Sequence, residues 1–164
     1  MSDAAAVVAA DERTAGDSDD VGVDVERWRQ LALAALTAEG SVGELTLTFV
    51  DRNDIAELNS RYMGKEGATD VLSFPMEDEH EQGVPILLGD VVISPAVALE
   101  QHSEHAGTID DELALLVVHG VLHVLGHDHA EAAEAAAMRK RELELLVAHH
   151  WNGPPPSAFR QTHD

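Results

Sequence analysis

Apolar positions recur along this chain at two spacings, and each change of spacing marks an element. The run AAAVVAA at 4–10 reads as an opening strand. The stretch 11–23 is polar and rich in Gly and Asp, which makes it a loop. Asp24 then caps a helix over VERWRQLALAALTAE, in which Val25, Trp28, Leu31, Ala32, Ala35 and Leu36 share one face. Gly40 and Gly43 end it. ELTLTFV at 44–50 alternates, with Leu45, Leu47 and Phe49 on one side and threonines on the other, the pattern of a half-buried strand. Asp51 caps a further helix to about Tyr62, with Asp54 as its capping-box partner. DVLSFPM at 70–76 predicts a strand whose Pro75 belongs at a sheet edge or a strand end. EDEHEQGVP at 77–85 is a loop, and ILLGDVVIS at 86–94 a buried strand. Ser94 followed by Pro95 starts another helix.

Thr108 and Asp111 form a capping box before ELALLVVHGVLHVLG, a segment apolar nearly all round and therefore the central helix. Gly126 stops it. An Ala/Glu-rich helix follows over 130–149 and is favoured by propensity alone. The fold class is α+β, a single domain with a mixed sheet of about four strands packed with about five helices. The domain covers 1–153, with 11–23 as an acidic loop. After GPPPS, residues 154–164 read as a loose tail.

Composition narrows the chemistry. At 164 residues the chain suits one domain with a real core. It has no cysteine, so disulfides and thiolate metal sites are excluded, and a reducing cytoplasm suits it. The N-terminal stretch lacks a basic leader and is not read as a signal peptide. No apolar run is long enough for a bilayer, so no membrane partner is expected. A net charge of −21, from 31 acidic and 10 basic residues, argues against a generic nucleic-acid binder, which needs a basic face.

The candidate chemistry sits in HGVLHVLGHDH at 119–129, with four histidines in eleven residues. His119 and His123 are one helical turn apart and face the same side. Gly126 breaks the helix, and His129 is placed to turn back toward the same ion. Three neutral imidazoles hold a zinc-like ion and leave a fourth position for water, the arrangement of a hydrolytic site. His127 has two readings: a fourth ligand, which would close the site and make the metal structural, or a residue turned away because adjacent turn positions cannot all face one ion. Asp128 can cap the last helix, with Glu131 as partner, or orient a ligand histidine. His102, His105, His149, His150, His80 and His163 read as surface or helix-end residues.

The spacing resembles the His-Glu-x-x-His-x-x-Gly-x-x-His motif of metzincin peptidases. Gly120, however, stands where their general-base glutamate belongs, and Glu112 is too far back on the helix to replace it. The same stretch more closely resembles the His-Gly-x-Leu-His-x-x-Gly-x-Asp-His signature of the YbeY family of bacterial endoribonucleases. LNSRYMGKEGATDVLSFPM and LLGDVVIS resemble two further segments of that family, in the same order, and the likeness runs from about residue 5 to about residue 153. The resemblance implies a single-strand-specific, metal-dependent endoribonuclease acting in 16S rRNA 3′-end maturation and in quality control of 70S ribosomes. It implies His119, His123 and His129 as metal ligands and zinc as the ion, with other divalent metals open. It also implies single-stranded rRNA, the small ribosomal subunit and an Era-type GTPase as partners. One departure is Met63, where the family often has arginine; methionine offers no bidentate phosphate contact.

Arg61, Lys65 and Ser73 are the candidate substrate contacts, with Arg52 and Asp70 behind them. Their competing readings are a solvated helix surface for the cations and ordinary strand-end hydrogen bonding for Ser73 and Asp70. Two other functions compete with the nuclease: a metzincin-like metallopeptidase, and a non-catalytic ribosome-assembly factor whose metal is structural. Coordination by His127 would favour the last.

Overall fold

The computed structural model of the chain describes residues 4–13, 22–76, 86–127 and 130–161. Strand β1 (Ala5–Asp11) is followed by helix α1 (Val25–Ala38) and strand β2 (Gly43–Phe49), which runs parallel to β1. The Asp24 carboxylate accepts a hydrogen bond from the Arg27 N–H, so the expected cap forms, and Trp28, Leu31, Ala32, Ala35 and Leu36 make the buried stripe. Within the first turn the Arg29 guanidinium, with Gln30, holds the Glu26 carboxyl down at about 2. Gly40, at φ +71°, turns the chain out of the helix where an L side chain would be strained.

Helix α2 (Arg52–Met63) leads to the short strand β3 (Val71–Pro75), and β4 (Leu87–Ile93) returns. The sheet order is β1-β2-β4-β3, with β4 parallel to β2 and β3 antiparallel to β4. This is the mixed four-stranded sheet expected. Pro75 closes the edge strand, where a missing N–H costs least. Between Asp51 and Asp54 no capping box forms: the Asp51 side chain makes no capping bond. An aspartate at the third helical position is shorter than the Glu or Gln that such a box uses.

The alternation along the strands sorts the two faces. Leu45, Leu47, Phe49, Val91 and Ile93 are fully buried in the main core with α1 and with the central helix α4 (Ile109–Val124). Leu72 and Val92 point the other way and pack with Val50 and with Ile55 of α2. Helix α4 is buried nearly all round, from Leu113 through Val118 and on to Leu122. Its cap forms only by half. Thr108 Oγ1 accepts the Asp111 N–H at 3.1 Å, but the Asp111 carboxylate does not serve the box. It accepts instead from His150 Nε2 at 2.8 Å and Trp151 Nε1 at 2.9 Å.

Between β4 and α4 lie the short helix α3 (Pro95–Gln101), started by Ser94 and Pro95 as expected, and a 3₁₀ turn, His102–Glu104. The last helix, α5, is shorter than its sequence suggests, Ala132–Leu146 rather than 130–149. Its N-cap is Glu131, which makes no side-chain capping bond; Asp128, the expected cap, lies outside the described residues. Beyond Leu146 the helix widens into a π turn, Val147–Trp151, which carries His150 and Trp151 to Asp111. His150 is therefore an anchor between helices and not simply a helix-end charge.

The segment expected as a loose tail is in contact with the domain as far as it is described. Phe159 meets Trp151 edge to face at 4.7 Å between ring centroids, and the Arg160 N–H donates to the His105 carbonyl at 3.1 Å. Most of the acidic loop, 14–21, and the loop 77–85 lie outside the described residues. Among the described residues no helix is long and apolar enough to cross a membrane.

A candidate metal centre on the central helix

The exit end of α4 carries His119 and His123. Their rings stand nearly parallel, 10° between planes and 6.4 Å between centroids, as the one-turn spacing requires. Each ring is held at Nδ1. His123 Nδ1 lies 3.1 Å from the His127 carbonyl oxygen, which can only accept. The proton is therefore on Nδ1, and in the neutral ring Nε2 bears the lone pair. His119 Nδ1 lies 2.6 Å from Glu142 Oε2, a carboxylate that α5 brings into the core at 3 % exposure. Metal-binding histidines characteristically give their second N–H to a carboxylate or a backbone carbonyl, which fixes tautomer and ring orientation. The two described donors thus fit a zinc-like ion. His129, the third expected donor, lies outside the described residues with Asp128, and among the described residues no third ligand joins the pair.

Three neighbouring residues narrow what the pair can do. His127 turns its ring to Glu39, with Nε2 at 3.0 Å from Oε1, and the same carboxylate accepts from Arg141 Nε at 2.6 Å. That bond holds the Arg141 guanidinium above its ordinary value. Gly120 lies against the sheet, where an added Cβ would sit 2.5 Å from Val91 Cγ1. Helix and strand are close because no side chain stands between them, and a glutamate at this position has no room. Glu112 is fully buried and committed elsewhere: it accepts from Gln101 Nε2 at 2.7 Å and the Ala106 N–H at 3.3 Å, and lies 3.4 Å from His105 Nδ1. It fastens the turn ahead of α4, two helical turns from His119.

The candidate substrate contacts fall in other places. Ser73 is buried at the helix–sheet contact, and its Oγ donates to the Gly120 carbonyl at 3.3 Å. It ties β3 to α4, the ordinary strand reading. Asp70 likewise accepts from the Val71 N–H at 2.7 Å and from Gln101 Nε2 at 2.8 Å. Arg61 is exposed and paired with Glu57, one turn earlier on α2, at 3.0 Å. Lys65 is exposed just beyond the end of α2. Arg61 sits on α2, whose Ile55 packs on the sheet face opposite Gly120, and Lys65 follows the end of that helix. Arg52 pairs with Glu100.

Sequence reasoning missed Glu142. Its composition hid it, since α5 is full of glutamates. Its signal was positional: Glu142 falls on the same stripe as Met138, Leu145 and Leu146, all buried. One glutamate on an apolar stripe needs a partner, and here the partner is His119.

Taken together, an α+β layer and a helix-borne histidine pair backed by a buried carboxylate form a candidate hydrolytic site. Comparison with known proteins specifies the chain's family. The family model described as Endoribonuclease YbeY matches residues 9–150. The protein named Endoribonuclease YbeY of Carboxydothermus hydrogenoformans is 45% identical over 119 residues, covering 73% of this chain and 81% of that protein. Its namesake in Acidothermus cellulolyticus is 44% identical over 142 residues, covering 77% and 85%. The solution structure of TM1509 from Thermotoga maritima superposes with a TM-score of 0.54 at 22% identity, over 90% of this chain and 93% of that one, which supports the fold. The chain belongs to the YbeY family.

Proposed function

We propose that this protein is a metal-dependent endoribonuclease that hydrolyses phosphodiester bonds of single-stranded RNA. His119, His123 and His129 hold one zinc ion in this reading. The observation that carries it is the pair of histidines on α4, each fixed at Nδ1 by an acceptor. The names of the relatives, endoribonucleases, supply the substrate class.

A bound ion of this kind supplies Lewis acidity for phosphodiester hydrolysis. The chain's own residues prepare the place. Glu142 and the His127 carbonyl hold the two rings in one tautomer and one orientation. Glu142 also lends negative charge to His119, which strengthens that ring as a donor. Gly120 lets α4 settle on β4, which fixes the height of both rings above the sheet.

The competing readings lose support at particular atoms. A peptidase of the metzincin type needs a glutamate where Val91 leaves room for glycine alone. A closed, structural site needs His127, whose ring is engaged with Glu39. The wider setting belongs to the same proposal: a cytoplasmic enzyme acting on rRNA of the small ribosomal subunit, in 16S 3′-end maturation and 70S quality control, with an Era-type GTPase as partner.

The test is cleavage of an end-labelled single-stranded RNA by zinc-loaded protein, beside His123→Ala. Cleavage that disappears in the variant and on chelation supports the reading. Equal, chelator-insensitive cleavage by both proteins would overturn it.

A further inference from the structure

The C-terminal segment reaches the candidate metal centre through one side chain. Gln161 Nε2 donates to Glu142 Oε1 at 3.0 Å and to the Arg139 carbonyl of α5 at 2.9 Å. The other oxygen of the same carboxylate takes His119 at 2.6 Å. An amide nitrogen has two N–H groups, and both are used. We infer that Gln161 is a positioning residue for the histidine pair, acting through Glu142 on His119, and that the segment 157–161 is the strap that brings it there.

The argument starts from Glu142. A carboxylate at 3 % exposure must have donors, or its charge is expelled. With His119 alone it would have one donor and could rotate about its last bond. Gln161 supplies a second donor on the opposite oxygen, and so fixes the plane of the carboxylate and the direction of the bond to His119. The amide is itself fixed, because its other N–H is bound to a carbonyl of the helix that carries Glu142. The strap has its own anchors. Phe159 packs on Trp151, Arg160 N–H binds the His105 carbonyl, and Ala158 lies against Gly107, where an added Cβ would come within 3.3 Å. These contacts join the strap to the turn ahead of α4 and to the π turn after α5, so the amide is delivered from two fixed points.

This inference rests on the zinc reading above, and its test separates the two. The full chain is compared with Gln161→Leu, Gln161→Lys (which keeps an N–H donor) and Glu142→Gln. Three quantities are read: zinc affinity by chelator competition, the His119 Nδ1–H proton resonance of metal-free protein, and thermal unfolding as a check on the fold. Loss of a group that orients a metal ligand directly costs about 10–100-fold in affinity. Gln161 acts one bond further out, so Gln161→Leu should weaken zinc by about 3–10-fold and broaden the His119 resonance while the unfolding transition stays cooperative, and Gln161→Lys should restore both. Wild-type affinity and an unchanged His119 resonance in Gln161→Leu overturn the inference. So does a loss that Gln161→Lys fails to restore, since packing alone would then explain it. If the full chain binds no zinc, or His123→Ala binds it as tightly, the zinc reading fails, while the metal-free resonance still decides whether Gln161 positions His119.

Discussion

Gly120 shows how one position sets both fold and chemistry. The two methyls of Val91 would lie 2.5 and 3.1 Å from a Cβ there. Gly120→Ala must therefore push α4 off β4 or displace Val91. Overpacking of this kind costs about 1–3 kcal/mol. The expected outcome is a lowered midpoint in thermal unfolding, although alanine favours a helix over glycine by about 1 kcal/mol. An unchanged or raised midpoint would mean that the sheet yields easily there. At this scale the sequence was partly legible. His119 and His123 declare themselves, because a four-residue spacing on an apolar helix is a local property. Glu142 and Gln161 do not, because the bonds that tie Glu142 to His119 and Gln161 to Glu142 join residues distant in the chain. Ser73 kept two readings for a related reason: a polar residue on a strand gives no sign of which layer it faces until the layers are stacked.

Among the elements, α1 and α4 were legible almost to the residue. Their apolar patterns are regular and their caps, Asp24 and Thr108, are local. The end of α5 was not, since propensity continues through His149 while the helix widens after Leu146, where a tertiary contact forms. That contact is Asp111, mostly buried, with His150 and Trp151 both donating to it. Asp111→Ala removes the acceptor and leaves two polar groups unsatisfied, at about 1–3 kcal/mol for such a loss. The variant should show a lower unfolding midpoint and faster amide exchange at 147–151, with exchange in β2 and β4 slowed or hastened only as global stability changes. If exchange at 147–151 stays at the wild-type rate, the π turn is held by something other than Asp111. The order of the sheet was also closed to sequence. Alternation assigns faces to β2 but does not say that β4 is its neighbour, nor that β3 lies outside β4.

For the molecule as a whole, the net charge of −21 sets the terms on which it meets other molecules. Like charges repel one another in the folded state, and salt screens them over about 10 Å at 0.1 M. Raising the salt from low values toward physiological strength should therefore raise the unfolding midpoint. RNA affinity should show a shallow dependence on salt, because few cations are present to displace counterions from phosphates. A steep fall in RNA binding with salt, as for a basic protein, would mean that an electropositive surface has been overlooked. The fold class, the mixed sheet and the family were all within reach of the sequence, because each rests on patterns and motifs that are contiguous. The support behind the histidines was not. That support also has a direction in time. A ribosome makes His119 first, Glu142 emerges 23 residues later, and Gln161 a further 19 after that. Synthesis runs from the N-terminal side, whereas a domain folds as a unit. The segment bearing the histidines is thus made before the groups that steady them, and a nascent chain carries an unfinished centre until its last turns have docked.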